Sequence, residues 1–324
     1  MRFRPSALFR YGIPAHESER FPLDWERLFG RRAPLAVEVG FGGGEYLAWW
    51  AGQRPDWNLV GLERPPECVA RAARLLERSG ADHVRLVRGD ARYLLRELFA
   101  AASLERVLMQ FPMPWPKEKQ AKHRVSSPDF AATLAMVLRP GGCFELVTDQ
   151  DWYATESHDF LSGDGRFELS ALEREPEREF RTRYEQKWLE QGRSIYRLRA
   201  RLLEGGATRR IIQEEPLHCT HLDSTLTEAA VAALAGRRFT APGVVAEVKE
   251  SFRAEGSWLL KVVSADDAFS QIFYLRLVSK PDGSSLVKVE PQPRPYPTAA
   301  VRFVVESVAA ALRDSLAPGA DLSA

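Results

Sequence analysis

Three acidic residues stand where short apolar runs give way to turns. They are Glu38 in Val37-Glu38-Val39-Gly40-Phe41-Gly42-Gly43-Gly44-Glu45, Glu63 in Leu59-Val60-Gly61-Leu62-Glu63 and Asp90 in Arg88-Gly89-Asp90-Ala91-Arg92. Apolar runs of this length read as strands, with helix-period residues between them as crossovers. The acids then fall at the carboxyl ends of three consecutive strands, where open α/β sheets bind ligands. Gly40 and Gly42 allow a sharp turn and a close approach of backbone to ligand. Glu45 occupies the place of the third glycine of a dinucleotide fingerprint, and the Gly-Lys-Ser/Thr of a phosphate loop is absent. A carboxylate at the helix entrance would also repel a pyrophosphate. The turn therefore suits a ligand without phosphates and with positive charge at one end. Glu38 can order the turn and face an amino-acid ammonium, Glu63 can accept from vicinal ribose hydroxyls, and Asp90 can accept from an exocyclic adenine amine. Together these roles outline S-adenosylmethionine. Taken singly, a ligand-free tight turn and solvated or helix-start acids are the alternatives.

A second cluster follows the fourth apolar run: Gln110-Phe111-Pro112-Met113-Pro114-Trp115-Pro116-Lys117-Glu118-Lys119-Gln120-Ala121-Lys122-His123-Arg124. Three alternating prolines forbid helix and stiffen the backbone, and Trp115 offers a flat face. Lys117, Lys119, Lys122 and Arg124 make a local basic run of the kind that contacts phosphates while an aromatic ring stacks on a base. A rigid surface loop with solvated lysines is the alternative. His218-Cys219-Thr220-His221 has no second ligand cluster and lacks the spacing of a zinc site, so no metal is expected.

The elements that must position these residues are legible from periodicity. Leu35–Val39, Leu59–Leu62, Val84–Arg88, Val107–Phe111, Phe144–Thr148 and Ile195–Leu203 read as strands of a doubly wound α/β sheet. Val69, Ala72, Ala73, Leu75 and Leu76 lie on one helical face ended by Gly80. Ser127-Pro128 reads as an N-cap with proline in the first turn of a helix that runs to Pro140-Gly141-Gly142. Past Gly205 the texture changes to a small α+β domain: a capped helix over Ser224–Leu234, strands over 243–291 broken at Glu255-Gly256 and Pro281-Asp282-Gly283, and a helix from Thr298 to Leu312. The expected organisation is an N-terminal segment 1–33, a sheet domain 34–204 and an extension 205–324.

The 324 residues are 45% hydrophobic and 27% charged, which excludes a disordered or disulfide-scaffold class. Forty-five basic residues against 44 acidic ones leave a formal net charge of +1, so any binding of nucleic acid must come from locally clustered charge. Three scattered cysteines, no signal-like segment and no membrane-length apolar run point to the cytoplasm, with no membrane association and no protein partner implied.

In order and spacing, Glu38–Glu45, Gly61-Leu62-Glu63, Arg88–Arg92, Phe111-Pro112-x-Pro114-Trp115-Pro116-Lys117, Arg139–Gly142, Thr148-Asp149 and Thr182-Arg183-Tyr184-Glu185 resemble the bacterial tRNA (guanine-N7-)-methyltransferase family. The resemblance covers about residues 34–203. It implies a Rossmann-like class I methyltransferase sheet and formation of 7-methylguanosine at position 46, in the variable loop of tRNA. It also implies S-adenosylmethionine contacts from Glu38, Gly40, Gly42, Glu63 and Asp90, and tRNA contacts from Lys117, Asp149, Thr182, Arg183, Tyr184 and Glu185. Two departures stand out. Met113 replaces the family's aspartate, and a thioether is a weak, uncharged acceptor; Glu118, five positions on, is a speculative substitute, and Asp149 is the remaining candidate for a carboxylate on the guanine edge. The extension after Gly205 has no counterpart in the family core. A chain that binds RNA but has lost the chemistry is one rival reading, and a small-molecule methyltransferase is another.

Overall fold

Five consecutive buried residues, Leu35–Val39, form β1. Such a run marks a strand covered on both faces, as the centre of a parallel sheet requires. The computed structural model describes residues 6–213 and 219–316. These fall into two units: 6–15 with 21–209, and 16–20 with 210–213 and 219–316. In the first unit β1 is followed by α1 (Glu45–Gln53), β2 (Asn58–Glu63), α2 (Pro66–Ser79), β3 (Val84–Arg88), α3 (Ala91–Leu98), β4 (Leu104–Gln110), α4 (Pro128–Val137), β5 (Leu138–Thr148), α5 (Asp151–Asp164), α6 (Arg183–Glu190) and β6 (Tyr196–Leu202).

The main sheet order is β3-β2-β1-β4-β5-β6, parallel except for β6, which runs antiparallel to β5. Two short strands, Gly12–Ile13 and Phe167–Leu169, flank it. Chain order reverses between β1 and β4, which places the ligand crevice at the carboxyl ends of those strands. This is the doubly wound class I methyltransferase arrangement.

Local chemistry sets the element ends. Helix α2 has proline in its first turn and the left-handed Gly80 beyond its last, and it buries Val69, Ala72, Ala73 and Leu76 while Leu75 is half-buried. Ser127 Oγ accepts from Phe130 N at 3.1 Å and starts α4. That helix stops at Val137, ahead of Pro140-Gly141-Gly142, which lie within β5. Pro140 disfavours helical backbone at the residue before it, so the chain leaves the helix early.

Residues 6–15 and 21–33 fall with the first unit, and 16–20 with the second. Tyr11 is fully buried and its hydroxyl donates to Leu76 O at 3.2 Å, and Trp25 stacks on Phe99 at 5.0 Å. These anchors are single aromatics without a period, so the sequence pattern does not show them.

The second unit contains β7 (Cys219–Leu222), α7 (Glu228–Ala232), β8 (Arg238–Ala241), β9 (Val244–Ala254), β10 (Ser257–Asp266), β11 (Phe269–Ser279), β12 (Ser285–Val289) and α8 (Ala299–Leu316). Its antiparallel sheet has the order β7-β12-β11-β10-β9-β8. Val301, Val304, Val305, Val308 and Leu312 of α8 share a core with Leu260, Val262, Phe273, Leu275 and Val287. The helix expected over Ser224–Leu234 is a single turn and a half, because Thr227, not Ser224, caps it by accepting from Ala230 N. His218 lies outside the described residues. Among the described residues no helix is long and apolar enough to cross a membrane.

Candidate functional site

The carboxyl ends of β1 to β4 open into a cleft of about 1100 Å³ within the first unit. Glu38 reaches it from β1 while only 1% exposed, and its Oε2 has no hydrogen-bond partner among the described residues. Burial pushes its carboxyl up to about 8; the neighbouring Glu63 charge acts in the same direction and Arg178 opposes it. The glycine turn follows, with Gly40 at φ 73° and Gly42 at φ 54°, conformations that glycine adopts without strain. Glu63 fixes this turn: its Oε2 accepts from Gly42 N and its Oε1 from Arg64 N, each at 2.8 Å. Each carboxylate oxygen keeps a further lone pair for a ligand hydroxyl. Asp90 caps α3 by accepting from Arg92 N at 3.1 Å, and also holds the Arg92 guanidinium at 2.6 Å. The three acids therefore line one cleft at three adjacent strand ends.

The proline-rich loop forms one rim. Phe111 (φ 49°) and Trp115 (φ 48°) both take left-handed backbone, which costs a non-glycine residue energy and clusters at functional sites. Because of this turn β4 ends at Gln110 and not at the expected Phe111. Met113 lines the cleft and is 66% exposed. Trp115 packs against His123 with ring centres 5.3 Å apart. Lys117, Lys119 and Lys122 are exposed, and Glu118 is exposed and outside the cleft lining. Arg124 does not belong to this basic surface. It is buried, pairs with Glu156 at 2.8 Å and lies 4.8 Å from the centre of the Trp152 ring. A planar guanidinium can stack and pair at once, and sequence adjacency to lysines conceals that.

Asp149, beyond the end of β5, faces the cleft from the other side. Its Oδ2 accepts from Arg193 Nη1 and from Gln150 Nε2, both at 2.6 Å. Arg193 lies 4.0 Å from the centre of the Trp188 ring. The Thr182–Glu185 segment divides its labour. Thr182 Oγ1 caps α6 by accepting from Glu185 N, and the Glu185 side chain is buried against Arg178 at 2.9 Å. Arg183 pairs with Glu45, which joins α6 to the glycine turn, and Tyr184 is 57% exposed. Thr182 and Glu185 thus hold the helix, and Thr182, Arg183 and Tyr184 line the cleft. Arg178, Arg193 and Gln110 are cleft or support residues that sequence reasoning did not select. The only available signal was buried-strand position for Gln110; the two arginines look like ordinary surface charge.

The Methyltransf_4 family of methyltransferases matches residues 32–198, all within the first unit. The tRNA (guanine-N(7)-)-methyltransferase of Thermotoga maritima is 36% identical over 300 residues, covering 92% of this chain and 95% of that one. The chain belongs to the tRNA (guanine-N7-)-methyltransferase family. A member from Methylococcus capsulatus is 37% identical over 198 residues, covering 58% of this chain and 82% of its own length. The solved 16S rRNA methyltransferase KamB superposes with a TM-score of 0.44 at 14% identity, covering 56% of this chain and 93% of that one. A 300-residue match necessarily runs well past Gly205, so the extension, which has no counterpart in the family core, has one in the Thermotoga protein.

Proposed function

We propose that this chain transfers a methyl group from S-adenosylmethionine to N7 of a guanine in the variable loop of tRNA. The observation that carries this reading is the cleft itself, which holds a buried Glu38, its Oε2 without a partner among the described residues, beside Glu63 and Asp90 and continues to Asp149. When bound, the cofactor supplies an activated methyl on its sulfonium. Glu38 suits its ammonium, Glu63 the ribose hydroxyls and Asp90 the adenine amine, while Gly40 and Gly42 leave room for close approach.

Guanine N7 attacks with a free lone pair and loses no proton, so no general base is required and an acid at position 113 is dispensable for proton transfer. Positioning is the main requirement, and it can lower a barrier by several kcal/mol, of the order of ~7 or more in well-oriented systems. Both bonds to Asp149 reach Oδ2, leaving Oδ1 to accept from the N1–H or amino group of the base. Its charge then offsets the positive charge that grows on the purine. Lys117, Lys119 and Lys122 supply phosphate contacts, and Arg183 and Tyr184 complete the tRNA-facing rim. A cytoplasmic location, where tRNA and cofactor meet, fits the reaction. Nucleoside analysis of tRNA incubated with the protein and methyl-labelled cofactor is expected to yield labelled 7-methylguanosine. Label on another atom, or none, overturns the reading.

A further inference from the structure

Gln110 ends β4 on the sheet face that carries Glu38. Glu38 pairs with Leu108 across the β1–β4 ladder, and Gln110 lies two residues further on. The side chain is buried and lines the cleft. Arg178 Nη2 donates to Gln110 Oε1 at 2.6 Å. A guanidinium has only donors, so this bond fixes the amide: Oε1 faces Arg178 and Nε2 is left as a donor elsewhere. Nε2 is buried and has no partner among the described residues, a costly state for an amide donor.

Arg178 is itself immobilised. Its side chain is 4% exposed, its Nε donates to Glu185 Oε2 at 3.1 Å and lies 2.9 Å from Oε1 in an ion pair, and its guanidinium lies 5.8 Å from the centre of the Tyr46 ring. Nothing in that packing needs the amide nitrogen. On the adjacent strand, Glu38 Oε2 is the matching orphan acceptor. One buried donor and one buried acceptor on neighbouring strands are what a zwitterionic α-amino acid group requires: the donor for its carboxylate, the acceptor for its ammonium.

We propose that Gln110 binds the methionyl carboxylate of the cofactor through Nε2–H, and that Arg178 is the positioning residue that aims it. The proposal rests on the S-adenosylmethionine reading and assigns two residues that the strand-end acids do not include. It implies that Arg178 serves two sites at once, holding the amide in the cleft and the buried Glu185 of α6.

The test uses the full chain and two ligands in calorimetry. S-adenosylhomocysteine carries the amino-acid end, and 5′-methylthioadenosine lacks it. Gln110→Leu is expected to weaken S-adenosylhomocysteine about tenfold or more, the range of a lost charge-assisted hydrogen bond, and to leave 5′-methylthioadenosine unchanged. Gln110→Glu, close in shape, replaces the donor with a negative acceptor and should show the same selectivity more strongly. Arg178→Met should reproduce the selective loss, and Arg178→Lys should restore part of it because an ammonium still donates to Oε1. Equal weakening of both ligands, or an undiminished S-adenosylhomocysteine affinity in the Gln110 variants, overturns the proposal. Failure of the wild-type chain to bind S-adenosylhomocysteine overturns the proposed function, and this assignment with it.

Discussion

In the first unit a carboxylate, Glu38, sits inside a strand buried at all five positions, whereas β10 and β11 of the second unit place Leu260, Val262, Phe273, Leu275 and Leu277 in a core shared with Val304, Val305 and Val308. A buried carboxyl oxygen that has no hydrogen-bond partner among the described residues, such as Glu38 Oε2, costs the fold free energy that an apolar residue would not. The first unit keeps this cost at the carboxyl edge of its sheet, beside a cleft. The second unit's cluster of apolar side chains offsets chain entropy, and its buried carboxylate, Asp266, accepts from Ala300 N at 2.8 Å at the start of α8. The family match over residues 32–198 falls in the first unit.

The comparison predicts that changes in the two units have different consequences. Phe273→Ala, at a fully buried position, should destabilise the protein by about 3–5 kcal/mol in thermal or chemical unfolding, the usual range for such a truncation. Affinity for S-adenosylhomocysteine should stay unchanged under folding conditions; a tenfold loss would show that the second unit shapes the cleft. Glu63→Ala should do the reverse. It removes a ribose acceptor and also the anchor of Gly42, so cofactor affinity should fall by about 1–3 kcal/mol with little change in melting temperature. Wild-type affinity in that variant would refute the assignment.

Glu38 sharpens the comparison through pH. In the folded chain its carboxyl is raised from the ordinary 4.5 to about 8, so between those values the folded state holds a proton that the unfolded chain releases. Its contribution to the stability of the free protein therefore falls as pH rises from about 4.5 to about 8. A bound cation favours the carboxylate, so its contribution to cofactor affinity should rise as pH approaches about 8 from below, by at most tenfold per unit, and level off above 8. Subtracting the profile of Glu38→Gln cancels the ligand's own amine titration, and parallel profiles would contradict the assignment. The smallest effect belongs to the rim. Reversing the charge of Lys119 and Lys122 should flatten the log–log dependence of tRNA affinity on salt by about one unit per lost phosphate contact. An unchanged slope would put the phosphates elsewhere.

The parts of the site that sequence made legible are those whose chemistry is local. The three acids stand within or just beyond short apolar runs, Gly80 and Ser127 mark helix ends by their own conformations, and α8 shows its valine stripe at helical spacing. What stayed hidden depends on partners distant in the chain. Arg178 reaches Gln110 across 68 positions, Arg183 reaches Glu45 across 138, and Arg193 reaches Asp149 across 44. Arg124 shows the opposite error, since its lysine neighbours suggest a phosphate contact while Glu156 and Trp152 enclose it. The Thr182–Glu185 motif was legible by spacing, but its structural part was not: Thr182 caps α6 while lining the cleft, and Glu185 anchors the helix to Arg178.

Position 113 is where the geometry and the resemblance separate most clearly. Met113 stands exposed at the rim and brings no charge, while Asp149 is held by Arg193 and Gln150 with one oxygen to spare. On the proposed function, the cleft methylates guanine without an acid at 113 and Asp149 carries the base. Single-turnover methyl transfer to tRNA by the wild-type chain, Asp149→Ala and Met113→Asp tests this most directly. The expected result is transfer by wild type, a loss of tenfold or more in Asp149→Ala, about 1.4 kcal/mol or more in the barrier, with cofactor affinity retained, and no gain in Met113→Asp. Transfer by Met113→Asp alone, with wild type inactive, would contradict the account and identify a chain that binds RNA without modifying it.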